Sequence, residues 1–161
     1  MSVFKDISNT YQRHIIDPGK ERAFWLLVAF LLTFLVVRTI THMIRANKGP
    51  FHNISAKGKH IHHLVPGIIL ILISGYCSIS LHLHHTLILD SVAFGVGAAL
   101  TLDEFALWLN LADVYWSKQG RDSVDAVIIM ATVASLVVLG PGFWKDIFKD
   151  IFGIINLYRV W

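Results

Sequence analysis

The sequence is short of several things, and each shortage narrows its class. Only one cysteine occurs in 161 residues, Cys77, and it lies within an apolar run. It cannot close an internal disulfide and says nothing about redox compartment. Charged residues make up 16% of the chain and the formal net charge is only +3. So small an excess gives no electrostatic basis for binding nucleic acid. The N-terminal stretch lacks the basic-then-apolar layout of a cleaved signal peptide. Internal repeats and low-complexity tracts are missing. No polar stretch is left over for a separate soluble unit, so a single domain over residues 1–161 is expected.

What is abundant is apolar sequence. Hydrophobic residues reach 55% and the mean hydropathy is +0.59, against roughly 45–50% apolar residues in a soluble domain. The surplus is gathered into blocks, and about 18 apolar residues suffice to cross a bilayer. Four blocks qualify: residues 23–44, 61–79, 87–111 and 124–140. The expected fold is therefore all-α, a multi-pass membrane protein with four transmembrane helices. Two amphipathic flanks complete it. Residues 3–16 place Val3, Phe4, Ile7, Tyr11 and Ile15 at helical spacing before Pro18 and Gly19 end the pattern. Residues 143–160 set Lys145, Asp146, Lys149 and Asp150 against Phe, Ile and Trp. Both read as helices lying in the membrane interface. Four crossings put both termini on one side of a cell membrane. Lysines and arginines divide almost evenly between the two sides, so the positive-inside rule does not orient the chain. Cytoplasmic termini follow only from the general habit of even-numbered bundles.

This topology sorts the nine histidines. His42, His52, His60, His62 and His63 belong to one membrane face, and His14, His82, His84 and His85 to the other. His63 and His82 are 19 positions apart, about 28 Å along a helix. "HIHH" and "HLHH" therefore cannot share a metal ion, unlike the gathered histidine boxes of membrane desaturases and hydroxylases.

Other polar residues reach the level of "HIHH". The third helix carries Asp103 and Glu104 there, about 24 Å from its start at Leu87. Arg38, His42 and Arg45, at i, i+4 and i+7, form one stripe of the first helix. The fourth opens with "RDSVDA", where Asp122 or Ser123 can cap it and Asp125 occupies its first turn. Charges cost several kcal/mol in lipid, so these groups should turn inwards and find partners. One carboxylate can pair with Arg38. The other needs a proton, a protonated histidine or a metal cation. Pro66 has no amide hydrogen and takes the helical partner from the His62 carbonyl. A bend is expected there, with His60 and His63 on one helix face and His62 pointing elsewhere. Two histidines with a carboxylate match a zinc, iron or manganese site with open positions.

The stretches "HIHHLVPGIILILISGY", "GAALTLDEFALWL" and "DVYWSKQGRDSVDAV" resemble a group of small bacterial integral membrane proteins of uncharacterised function. The resemblance spans roughly residues 58–128. It implies a membrane protein with a polar site, and no activity comes with it.

The residues themselves suggest a metal-dependent hydrolase acting on a lipid or another membrane-embedded substrate. His60, His62, His63 and Glu104 would be metal ligands. Asp103, Glu104 and Asp125 would be catalytic, while Arg38, Arg45 and Arg121 would bind a phosphate-bearing headgroup. The alternative is a proton or metal-cation transporter or channel subunit, since buried acids and histidines also serve as relays. That reading needs a homo-oligomer, which Gly95 and Gly97 of "FGVGAA" could seat. A third reading is a scaffold whose ion pairs only orient helices. The partners expected are membrane lipids and a second copy of the chain.

Overall fold

The computed structural model describes residues 2–52, 55–56, 59–60, 62–80, 87–111 and 118–158. Their architecture is all-α. Helix α1 (Ser2–Tyr11) runs on through a π-helical turn, Gln12–Ile16, and is followed by α2 (Glu21–Arg45), α3 (Leu64–Ser80) and α4 (Leu87–Asp103). A short α5 (Phe105–Asn110) precedes α6 (Arg121–Val138) and α7 (Gly140–Tyr158). The other regular pieces described are a 3-10 turn, Lys118–Gly120, and two antiparallel two-residue strands, Ser55–Ala56 and Lys59–His60.

Helix α4 lies between α2 and α3, and small residues let it approach both. A Cβ on Gly95 would collide with the Leu26 carbonyl of α2 and lie 3.2 Å from the Ala29 Cβ. A Cβ on Gly97 would lie 2.8 Å from the Gly67 carbonyl oxygen and 3.0 Å from the Ile71 nitrogen, both in α3. These glycines serve contacts within one chain. Next to them, Phe30, Ala98, Ala99 and Val127 form a buried cluster, with Phe34, Ile71, Phe94, Leu102 and Ala131 against it.

Helix α2 has 25 residues and a mean hydropathy of 2.3 over its most apolar window. Among the described residues it is the one helix that is by itself long and apolar enough to cross a membrane. The α6–α7 pair meets that test together but is bent by 89°. The bend falls at Gly140, whose φ of +68° is strained for residues with side chains. Helices α3 and α4 have 17 residues each.

Three boundaries differ from the sequence expectation, each for a local reason. The run expected to start at residue 61 becomes helical only at Leu64. Pro66 then falls in the first turn, where its missing amide has no intrahelical partner to lose. The expected bend has no preceding helix to bend, and the His62 carbonyl accepts the Val65 N–H at 3.2 Å. The run expected as one helix over 87–111 breaks at Glu104 into α4 and α5. The flank expected from residue 143 starts at Gly140.

The two flanking helices also bind each other. Ile15 is buried with Val138 and Leu139, and Tyr11, Phe24 and Phe143 close around them. The His14 Nε2–H donates to Asp146 Oδ2 at 2.9 Å, and the ring stands edge-on to Phe143. This hydrogen bond holds the Asp146 carboxyl below its ordinary range, with help from the nearby Arg13 charge. A lowered folded-state pKa stabilises the fold above the unfolded carboxylate value, and that stabilisation is lost as pH falls through the folded value. Hydrogen exchange in detergent should therefore show α1 amides losing protection as pH drops below about 4, the ordinary Asp value. Asp146→Asn should flatten that dependence.

The α3–α4 crossing yields a second expectation. Gly97→Val should lower the thermal midpoint in mild detergent, because overpacking typically costs about 1–3 kcal/mol. An unchanged midpoint would show that the crossing gives way easily.

Candidate functional site

The site grows out of the helix break. Glu104 has φ −107° and ψ 24° and stands as the N-cap of α5. Opening a helix there leaves the first α5 amides in need of partners. The buried Ser123 hydroxyl, from the first turn of α6, accepts the Ala106 N–H at 2.9 Å. Ser123 thus caps a neighbouring helix rather than its own. Gly120 holds the N-cap position of α6 and no side chain bonds there, so neither Asp122 nor Ser123 has the capping role expected of it.

The break also points the two acids at different partners. Asp103 is fully buried. Arg38 Nε lies 2.6 Å from its Oδ1, and Arg38 Nη2 donates to the Asp103 carbonyl at 3.5 Å. The Nε–Oδ1 approach is a contact of charges whose N–H is not directed along a hydrogen bond. The guanidinium also stands 5.4 Å from the centre of the Phe34 ring. On its other side, Asp103 Oδ2 accepts the His63 Nε2–H at 2.9 Å. Glu104 Oε1 accepts the His62 Nδ1–H at 2.7 Å, and His63 Nδ1 is 3.6 Å from the same oxygen. Glu104 Oε2 accepts the Leu64 N–H at 2.8 Å. An ionised carboxylate only accepts, so His62 Nδ1 and His63 Nε2 each carry a proton. Leu64 is the first residue of α3, so Glu104 also brings negative charge to that helix's positive end.

Five of the residues singled out in the sequence therefore meet: Arg38, His62, His63, Asp103 and Glu104. The histidine pairing differs from expectation. His60 lies in a two-residue strand rather than a helix, so the argument placing it on one helix face with His63 fails. The His60 side chain lies outside the described residues. His62 and His63 occupy a non-helical turn, and that lets adjacent rings reach two carboxylates. Arg45 and Arg121 are exposed, at the end of α2 and the start of α6. Asp125 is exposed too and lines an apolar groove with Asp122, Leu102 and Phe105. No described contact joins Arg121 or Asp125 to the cluster. His82, His84 and His85 lie outside the described residues.

Sequence reasoning missed the Leu64 amide and the role of Ser123. Both depend on where helices begin and break, which apolar periodicity does not mark. Among the described residues, no group of three or more His, Cys, Asp or Glu is arranged as a metal cage. The carboxylate oxygens instead face Arg38, His62, His63 and the Leu64 amide.

Burying ions costs several kcal/mol each, and removing one partner strands the other. Arg38→Met alone should lose about 3–5 kcal/mol of stability. Joining it to Asp103→Leu should restore most of that loss, read by denaturant unfolding in detergent. Equal losses in the single and double variants would show that charge compensation is not what Arg38 supplies.

Compared with known proteins, the chain matches no family model, no curated protein and no solved structure.

Proposed function

We propose that this chain is a multi-pass membrane hydrolase acting on a lipid or another membrane-embedded substrate, with His62 and His63 as its reactive groups. The observation that carries the reading is the line Arg38–Asp103–His63, with contacts of 2.6 and 2.9 Å around a buried carboxylate.

The membrane half of the reading rests on the outer surface. Leu35 is 60% exposed, Leu72 66%, Ile79 77% and Val137 72%. Large apolar side chains this exposed on α2, α3 and α6 suit contact with lipid tails rather than water. Helices α3 and α4 measure about 25 Å each, inside the range of a short crossing. With α2 and α6 they make four crossings, and α1 and α7 lie along the interface near cytoplasmic termini.

The chemical half rests on the histidine–carboxylate pairs. Asp103 holds the Nε2–H of His63 and fixes the ring's orientation, and in the neutral ring Nδ1 is then the basic nitrogen. As general base, Nδ1 takes a proton from water while the water oxygen bonds to a carbonyl or phosphoryl centre. The bond to the leaving oxygen then breaks, and that oxygen receives the proton back from Nδ1. A divalent zinc, iron or manganese ion would be held by ring nitrogens of His62 and His63 with Glu104 beside them, and would supply an activated water in place of the Nδ1 base.

The test is turnover of a panel of acyl and phosphate-ester lipids by detergent-purified protein, with elemental analysis of the same sample. His63→Gln should lower the rate about 10²–10⁴-fold with little change in melting temperature. A wild-type protein inert on the whole panel, or a fully active His63→Gln variant, overturns the reading.

A further inference from the structure

Besides meeting Asp103, Arg38 lines an open groove of about 440 Å³ with Leu35, Thr39, His42, Met43, Ala46 and Lys48. Six of these seven residues follow the helical sequence i, i+3, i+4, i+7, i+8, i+11, so they form one face of α2. The seventh, Lys48, lies beyond the helix end and is brought back by the turn. Asn47 adopts a left-handed φ of +51° and its N–H bonds to the Ile44 carbonyl at 3.0 Å. The Lys48 N–H reaches the Met43 carbonyl at 2.9 Å. These two bonds make a Schellman motif, which folds the chain back over the last turn. Gly49 completes it: its φ is +82°, and a Cβ there would lie 2.6 Å from Met43 Cε. The cationic end of the groove is therefore a built feature.

We infer that this groove binds the phosphate of an anionic membrane lipid, with an acyl chain running down the same face of α2 over Leu35 and Leu31. Three side chains that can carry positive charge line it, Arg38, His42 and Lys48, and no acid does. Leu35 and Leu31 are exposed one and two turns deeper on that face. Charge at the interfacial end and an apolar track below it match one amphiphile, an anionic phospholipid. Arg45, expected to hold the headgroup, does not line the groove. The inference rests on the membrane reading above and names the lipid class that reaches the site.

Native mass spectrometry of the full chain in detergent tests it, with phosphatidylglycerol and phosphatidylcholine added in equal amounts. Wild-type protein should favour phosphatidylglycerol by about five-fold, the factor one basic residue supplies near an anionic surface. Lys48→Glu should abolish the preference, and Gly49→Val, which displaces the turn, should weaken it. Lys5→Glu, on α1, should leave it intact. Equal retention of the two lipids, an undiminished preference in Lys48→Glu, or displacement of the lipid by millimolar inorganic phosphate each overturns the groove. Lipid turnover persisting with the preference absent refutes the groove alone. A protein recovered without detergent refutes the membrane reading along with it.

Discussion

Asp103 is a carboxylate with no access to solvent, and that single constraint organises the end of the fold where the helices meet. A buried carboxylate is tolerable only if its charge is met at both oxygens. Arg38 of α2 meets one and His63, at the mouth of α3, meets the other. The acid stands on α4, so three separate helices must keep register for the charge to stay compensated. The glycine contacts farther along α4 make that register attainable, because they bring the backbones of α2, α3 and α4 close enough for short polar side chains to reach.

Glu104 solves a second problem at the same place. Continued as a regular helix, residues 103 and 104 would diverge by about 100° around the axis, and only one could face α3. The break at Glu104 removes that restriction. The break has its own needs, met by Ser123 on one side and by the exchange between Glu104 and the Leu64 amide on the other. A polar group left over by one helix end is thus satisfied by the next. Such mutual satisfaction makes the cluster cooperative, so effects of single substitutions within it should not add.

The sequence disclosed the parts of this arrangement that depend on composition and spacing. Apolar blocks marked the long helices, and counting residues along them put Arg38, Asp103, Glu104 and the histidines at one level. It did not disclose which histidines pair with which acid. That choice turns on whether residues 60–63 are helical, and a proline three residues into α3 is compatible with a helix kinked at Pro66 or one just begun there. The helix break was hidden for a similar reason. "TLDEFALWL" keeps helical periodicity straight through Glu104, and the serine that stabilises the interruption lies 17 residues beyond the Ala106 amide it caps. Neighbours in space, not in sequence, decided both points.

Arg38 joins the two halves of the chemistry. Its guanidinium meets Asp103 inside the bundle and lines the α2 groove outside it. Lysine could not do the same: an ammonium is a single point of charge, whereas the planar fork presents donors along more than one edge. An anion seated in that groove would alter how firmly Arg38 holds Asp103, and Asp103 is one hydrogen bond from His63. The ring's orientation is therefore linked to the α2 groove through one side chain and one carboxylate. A site wired this way would respond to an occupant of that groove, which a fully enclosed charge cluster cannot do.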